Sequence, residues 1–280
     1  MILGRRGALA LAAAALVGLS GCSSEQEQER DFDPGIGHIH GLGINPADGE
    51  LYAGTHYGIF RITESGVARV GDVIQDFMGF AVVGPDHFLA SGHPSPDDAE
   101  QPINLGLIES TDGGVSWETV SLSGSADFHA LEFKHGNVYG YDSTNQQVMV
   151  SEDTVTWTGG ARFPASDLAV SPVDPAELIA TVQRGPARST DRGRVFEVID
   201  TAPALTLIDW PRENQLFGID EDGTLYRSRD GGESWEARGS VADPPHAFLA
   251  TDERHVYVAT ARAVYQSSDG GTTFSELYEF

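Results

Sequence analysis

An eight-residue pattern recurs through most of the chain at a nearly constant interval. The pattern Ser-x-Asp-x-Gly-x-Ser/Thr-aromatic is complete at Ser228–Trp235, Ser110–Trp117 and Ser267–Phe274, and reduced copies stand at Ser189–Phe196 and Ser151–Trp157. The first serines of successive copies are 41, 38, 39 and 39 residues apart. A fixed period near forty residues, with four short strand-like runs in each period, predicts the blades of a β-propeller.

Each copy has the chemistry of a tight turn. Glycine supplies a positive φ, and the aspartate accepts hydrogen bonds from nearby backbone N–H groups before the aromatic residue starts the next strand. We expect a structural role for the aspartates of the five copies, which are Asp112, Asp153, Asp191, Asp230 and Asp269.

The whole of residues 34–280 divides into six such repeats. The sequence therefore predicts an all-β, six-bladed propeller with these turns between the third and fourth strands of the blades. Blade one has only Thr63–Gly66 where the turn motif is expected. The last predicted strand, within 273–280, completes blade six without a strand from the N-terminus.

The N-terminus has the features of a lipoprotein leader. Arg5 and Arg6 precede an apolar run and then Leu19-Ser20-Gly21-Cys22, in which Cys22 is the single cysteine. We predict a signal peptide over 1–21, lipid attachment to Cys22 and a disordered polar tether over 22–33. An uncleaved anchor with a chance cysteine is the alternative. The prediction places the protein on the extracytoplasmic face of the cell membrane.

The chain is strongly acidic. Removal of Arg5 and Arg6 with the leader leaves 15 basic and 42 acidic side chains, a net charge of −27. Such a surface repels nucleic acid and anionic lipid, so no nucleic-acid partner is expected. The charge is interpreted as a solubilised surface, with a cationic partner as the alternative. We expect a monomer.

Histidines gather at one predicted end of the central channel. Alignment of the first strands places one residue of each blade in a column at the channel mouth: His40, Met78, His129, Ser166, Leu205 and His246. His38 precedes His40 by two residues and points to the same side of its strand. His56 and His93, which follow two second strands, open on the same mouth. The long connection from His93 to Leu105 is a candidate cover for a site there.

This column has three interpretations. Imidazole groups suit copper, zinc, iron or nickel, and a thioether beside them favours copper, so the first is a metal or small-ligand site with copper ahead of zinc. Its candidate ligands are His38, His40, His56, Met78, His93, His129 and His246. The second is a set of solvated channel histidines with Met78 packed. The third is an acid–base catalytic site, for which Asp76, Asp127 and Asp167 are the candidate carboxylates.

The repeat resembles the Asp-box of bacterial sialidases, sortilin-type receptors and photosystem assembly factors. With segments such as His38–Leu42, Thr55–Gly58 and Asp127–Leu131, residues 34–280 resemble a bacterial Asp-box (BNR) repeat lipoprotein family described as sialidase-like or glycosyl-hydrolase-like. A sialidase requires three arginines for the substrate carboxylate. The nearest match to the first of these arginines is Arg61, within Phe60–Thr63. It lies in a predicted third strand away from the channel mouth, so the three arginines of a sialidase site are not identified in this sequence.

These observations favour a lipid-anchored binding module over an enzyme. Its ligand is a small molecule, a metal such as copper or zinc, or an extracytoplasmic protein. One alternative is a sialidase-like glycoside hydrolase that acts on extracellular glycans. A second is an assembly or scaffold propeller that binds a protein partner.

Overall fold

The computed structural model describes residues 35–98 and 100–280, and the regular elements in these ranges are β-strands. Their 24 strands form six four-stranded sheets. The predicted leader over 1–21, the lipid-acceptor Cys22 and the tether over 22–33 lie outside the described residues. No described segment forms a helix with the length and apolar character needed to span a membrane.

Each sheet is one blade, and its strands follow one another in sequence. Blade one contains β1 (Ile39–Ile44), β2 (Leu51–Thr55), β3 (Gly58–Thr63) and β4 (Gly66–Val70). Blade two contains β5 (Asp76–Gly84), β6 (His87–His93), β7 (Leu107–Ser110) and β8 (Glu118–Ser121). Blade three contains β9 (Phe128–Lys134), β10 (Asn137–Asp142), β11 (Gln147–Ser151) and β12 (Trp157–Arg162).

The second half repeats this arrangement. Blade four contains β13 (Asp167–Val170), β14 (Leu178–Val182), β15 (Gly185–Ser189) and β16 (Glu197–Val198). Blade five contains β17 (Leu205–Arg212), β18 (Gln215–Asp220), β19 (Thr224–Ser228) and β20 (Glu236–Ser240). Blade six contains β21 (Pro245–Ala250), β22 (Val256–Thr260), β23 (Ala263–Ser267) and β24 (Ser275–Glu279).

The pairing confirms the predicted architecture. Every described blade has its strands in sequence order, and β24 pairs with β23, so blade six is completed from its own repeat. The turn at Thr63–Gly66 joins β3 to β4 in blade one, where the motif is reduced. The all-β, six-bladed propeller predicted from the repeat is therefore the observed fold.

The core consists of six apolar clusters, one between each pair of neighbouring blades. A four-stranded blade cannot bury its own faces, so each blade is stabilised by those beside it. The cluster that closes the ring packs Ile39 and Leu42 of blade one against Ala247, Ala259 and Val264 of blade six. Contact between these two blades brings β1, the first strand of blade one, beside β21, the first strand of blade six, at the channel.

The five Asp-box turns lie between third and fourth strands, as predicted. In blade five, the Ser228 hydroxyl donates to Asp230 Oδ1 at 2.7 Å and accepts the Gly232 N–H at 2.7 Å. Asp230 also accepts the Ser234 N–H and hydroxyl, and the Trp235 indole donates to the Gly232 carbonyl at 3.1 Å. The motif residues therefore satisfy one another.

The shortened copy in blade three keeps the turn without its glycine. Thr154 adopts a φ of 64°, in the left-handed region that glycine occupies in the full copies. Asp153 Oδ1 still accepts the N–H groups of Val155 and Thr156. The serine and the aspartate of the motif, whose side chains hydrogen-bond each other, therefore keep the turn where the glycine is absent.

The Asp-box aspartates should make the propeller sensitive to strong acid. Hydrogen bonds from Ser234 lower the pKa of Asp230 to about 2, and hydrogen bonds from Thr273 lower that of Asp269 to about 2. As pH falls below ~4, the unfolded chain takes up protons at these positions before the folded chain does, so stability is lost between about pH 4 and pH 2. We expect the thermal unfolding midpoint to fall across this window.

An Asp230→Asn/Asp269→Asn variant should be less stable than wild type at pH 7 but should show a shallower fall between pH 4 and pH 2. Glu221→Gln, in an exposed hairpin turn, is the control and should follow the wild-type curve. Equal slopes for wild type and the double variant would contradict the assignment.

Candidate functional site

The first strands carry an extra residue where they reach the channel mouth. In five blades the pairing of the first and second strands skips one residue of the first strand, which is the mark of a β-bulge. The skipped residues are His40, Met78, His129, Thr206 and His246. A bulge redirects a side chain, so these five positions are structurally equivalent and lie around one mouth.

The register corrects one member of the predicted column. Leu205 was expected at the mouth, but the bulge in blade five makes Thr206 the equivalent residue. Leu205 is only 4% exposed and packs in the cluster between blades four and five. Met78 and Ser166 do line the channel with His40, His129 and His246, in a cavity of about 630 Å³.

Four histidines from blades one and six form a compact cluster, which we call the histidine cluster: His38, His40, His56 and His246. The His38 ring centroid lies 3.9 Å from that of His246 and 4.5 Å from that of His40, and His40 lies 4.6 Å from His56. One ring nitrogen from each of His38, His40 and His56 lies within 4.8 Å of the others. His246 joins the cluster because blade six is the neighbour of blade one in the closed ring.

The turn after β2 holds His56 in this cluster. The buried Thr55 hydroxyl donates to the Gly58 carbonyl at 2.9 Å and accepts the Tyr57 N–H at 3.1 Å, so it bridges both sides of the His56-Tyr57 turn. The backbone N–H of His56 donates to the His38 carbonyl at 3.1 Å. These bonds fix the backbone of His56 relative to His38.

Three members of the histidine cluster favour the neutral form and have unpaired ring nitrogens. Burial and the neighbouring imidazoles lower the pKa of His38 to about 4 and that of His40 to about 3, and burial lowers the pKa of His246. His38 Nε2, His40 Nε2 and His246 Nδ1 are buried, and none of them has a hydrogen-bond partner among the described residues. Neutral imidazoles with unpaired nitrogens are the form that ligates metal ions.

A second group surrounds Asp127 on blade three. Asp127 Oδ2 accepts a hydrogen bond from His129 Nε2 at 2.8 Å and another from the Ser143 hydroxyl at 2.8 Å. Burial acts to raise the pKa of Asp127, but these hydrogen bonds outweigh it and hold the pKa below its usual value. Asp127 thus orients the His129 ring through its Nε2.

His93 approaches the same carboxylate from the start of the long blade-two loop. Its Nδ1 donates to the Ile103 carbonyl at 2.8 Å, and its Nε2 lies 3.7 Å from Asp127 Oδ2. The long loop therefore contacts the site through a backbone carbonyl that orients His93.

Asp76 lies between the two groups. Its Oδ1 is 3.6 Å from His40 Nε2, and its Oδ2 is 4.0 Å from His56 Nε2, distances too long for hydrogen bonds. In the β5–β6 register Asp76 is directly opposite His93. Burial raises the pKa of Asp76, whose Oδ1 is buried without a hydrogen-bond partner among the described residues.

The third candidate carboxylate has a different environment. Asp167 lies deeper in the channel, where it accepts the N–H groups of Leu168 and Ile208, both at 2.9 Å. Burial raises its pKa to about 8 against the effect of these two donors. Asp167 therefore links blade four to blade five and is separate from the histidines of the mouth.

Sequence alignment could have found one further site residue. His56 and His93 stand five residues after Leu51 and Phe88, and the same count from Val138 in blade three gives Ser143.

No sequence motif indicates the deeper channel residues Glu132, Lys134 and Asp209. Lys134 Nζ donates to the carbonyls of Val170 and Trp210 across the channel.

The remaining histidines and Arg61 lie away from the mouth. His87, His135 and His255 pair with Glu109, the Ser171 carbonyl and Asp252 at the hairpin turns between first and second strands. Arg61 is on β3, 4.0 Å from Asp48. Among the described residues that line the channel there is no arginine.

Comparison with known proteins agrees with the fold. A model of the BNR/Asp-box repeat matches residues 226–237, which contain the blade-five turn. A xyloglucanase of Hypocrea jecorina (strain QM6a) is 25% identical over 183 residues, which are 59% of this chain and 22% of the relative. The chain thus spans about a fifth of that relative's length.

Solved structures superpose on most of the chain. The GH74 xyloglucanase of Xanthomonas campestris has a TM-score of 0.57 at 14% identity, over 88% of this chain and 39% of that one. A chain of the nidogen/laminin complex has a TM-score of 0.63 at 12% identity, over 82% of this chain and 92% of that one. At these identities the likeness concerns the fold alone.

The fold and the repeat define the class of this protein. It is a six-bladed β-propeller, and one of its turns matches the BNR/Asp-box repeat. Its sequence and fold are similar to parts of xyloglucanases, and a cluster of histidines occupies its channel mouth.

Replacement of Thr55 by valine should disturb the site together with its turn. Valine has nearly the same shape but leaves the Gly58 carbonyl and the Tyr57 N–H without their partner, at a cost of about 1–3 kcal/mol in the free energy of unfolding. We expect chemical denaturation to show this loss and NMR to show shifted imidazole resonances for His56 and His38. Thr55→Ser keeps the hydroxyl and should retain the wild-type resonances. Unchanged spectra in Thr55→Val would argue against a positioning role for this turn.

Proposed function

We propose that this propeller binds a transition-metal ion at its mouth through His38, His40 and His56, with His246 as a fourth ligand. The observation that carries the proposal is the approach of three imidazole nitrogens within 4.8 Å of one another. Metal–nitrogen bonds of ~2.0–2.1 Å in a tetrahedral site place neighbouring ligand atoms about 3.3 Å apart. Small rotations of the rings are therefore enough to form the site.

The unpaired nitrogens supply a physical reason for an ion. A buried polar atom without a hydrogen bond costs about 1–3 kcal/mol, and three imidazole nitrogens of the cluster are in this state. An ion that accepts these lone pairs removes that cost for each nitrogen it ligates. Solvated channel histidines, the alternative interpretation, would instead require ordered water at each nitrogen.

We favour copper ahead of zinc. Imidazole sites generally bind Cu²⁺ more tightly than Zn²⁺, and a thioether favours Cu⁺. Met78 occupies the bulge position of blade two and lines the channel with His40 and His246, so its thioether is the soft ligand available at this mouth. His93 and His129 belong to the neighbouring Asp127 group, and not all seven predicted ligands are needed for one ion.

The histidine cluster should determine copper binding. Titration of the metal-free full chain with Cu²⁺, followed by electron paramagnetic resonance, should give a nitrogen-ligated signal. His38→Gln/His40→Gln should lower the affinity at least about tenfold, since even an indirect partner of a metal site acts on that scale. His87→Gln/His255→Gln, at the opposite end of the channel, is the matched control and should bind as wild type does. Equal weak binding by wild type and both variants would refute the proposal.

Glycoside hydrolysis is a second candidate function, favoured by the similarity to xyloglucanases. The carboxylates of Asp76 and Asp127 at the mouth, and Asp167 deeper in the channel, where burial raises its pKa to about 8, are the residues that would carry it. Release of reducing sugar from xyloglucan by the purified chain is the test.

Lipid attachment at Cys22 and an extracytoplasmic location complete the proposal. Cys22 follows Leu19-Ser20-Gly21, and its thiol is the acceptor that lipid attachment requires. Expression of Cys22→Ser should release the protein from membranes or block removal of the leader, as measured by fractionation and by the mass of the product. A processed Cys22→Ser protein that still fractionates with lipid would show that the anchor lies elsewhere.

A further inference from the structure

In the neutral form of His93, the pairing of its ring with Asp127 presents two acceptors to each other. Because the Ile103 carbonyl can only accept, the hydrogen bond from His93 Nδ1 places the proton of the neutral ring on Nδ1 and leaves a lone pair on Nε2. That lone pair is 3.7 Å from Asp127 Oδ2, which already accepts hydrogen bonds from His129 and Ser143. A cation between Nε2 and the carboxylate would stabilise this arrangement.

Asp127 also has a second carboxylate oxygen without a hydrogen-bond partner among the described residues. Its side chain is 6% exposed, yet its other oxygen, Oδ1, is buried and has no hydrogen-bond partner among the described residues. A buried carboxylate oxygen is costly unless a donor or a cation compensates it. The 3.7 Å from His93 Nε2 to Asp127 Oδ2 is close to the ~3.3 Å between neighbouring ligand atoms of a tetrahedral ion.

Asp76 connects this position to the histidine cluster. It stands opposite His93 in the β5–β6 register, and its two oxygens face His40 and His56 at 3.6 and 4.0 Å. Its Oδ1 is buried and unpartnered as well. A carboxylate placed between two groups of imidazoles is suited to contact two ions at once.

We infer that the mouth contains a second cation site, formed by His93 and Asp127, which shares Asp76 as a bridging ligand with the ion of the histidine cluster. The inference rests on the proposed function, because the bridge needs the first ion. The second site offers one imidazole and two carboxylates, a ligand set that takes a divalent ion of borderline character such as Zn²⁺. Two ions bridged in this way form a two-metal centre with a spacing of about 3.5–4 Å.

Zinc stoichiometry tests the second site. The full chain is purified in detergent and freed of metal with a chelator. It is then dialysed against Zn²⁺, and its zinc content is measured by inductively coupled plasma mass spectrometry. We expect two ions in wild type and one in Asp127→Asn. His93→Gln, which leaves the Asp127 hydrogen bonds to His129 and Ser143 in place, should also hold one ion. His38→Gln/His40→Gln should keep the second ion only, and His87→Gln/His255→Gln should hold two.

Three other outcomes would each contradict a different part of the proposal. One ion in wild type that is lost only from His38→Gln/His40→Gln would overturn the second site and leave the proposed function intact. No bound ion in wild type would overturn the proposed function itself. Two ions in His93→Gln, folded as judged by circular dichroism, would place the second ion elsewhere and refute the inference.

The bridge has its own readout. Two Cu²⁺ ions that share a carboxylate are magnetically coupled, so the paramagnetic resonance signal of the doubly loaded wild type should be broadened or lost. His93→Gln protein should show the sharp signal of an isolated ion. Asp76→Asn should weaken both sites by at least about tenfold. An uncoupled signal from a wild-type chain with two ions would rule out Asp76 as a bridge.

Discussion

Face-to-face packing between neighbouring blades is the interaction on which the fold and the candidate site both depend. Glycines allow the blades to approach closely near the mouth: a Cβ on Gly79 would lie 2.5 Å from the Phe128 carbonyl oxygen, and one on Gly41 would lie 2.9 Å from Phe80 Cβ. Each of these glycines follows a bulged residue, His40 or Met78. The close approach therefore brings the mouth side chains of adjacent blades within reach of one another.

The bulges convert a regular repeat into a site. Without the extra residue, side chains of a first strand would alternate between the two faces of the blade and pack against its neighbours. The bulge turns one side chain per blade toward the channel, and in three of the five bulged blades that residue is histidine. Repetition of one backbone irregularity thus gathers imidazoles from segments far apart in sequence.

The fold was predictable because the Asp-box is a local motif whose Ser, Asp and aromatic residues satisfy one another within eight positions. The blade count and the position of the turns followed from its spacing. The grouping of histidines at one mouth also followed from strand alignment, but Leu205 was misplaced because a bulge leaves no mark in the sequence. The partners His38 and His246 were not predictable as neighbours, since their contact depends on how the ring closes.

The interface between blade six and blade one differs from the other five in its connectivity. Each of the others is crossed by the chain as it passes from a fourth strand to the next first strand, whereas no connection between the described strands crosses this one, which side-chain packing stabilises. It is the seam of the ring, and His38 and His246 face each other across it. An ion bound by both histidines would link blades one and six by coordination. These are the only two adjacent described blades that no backbone connection joins.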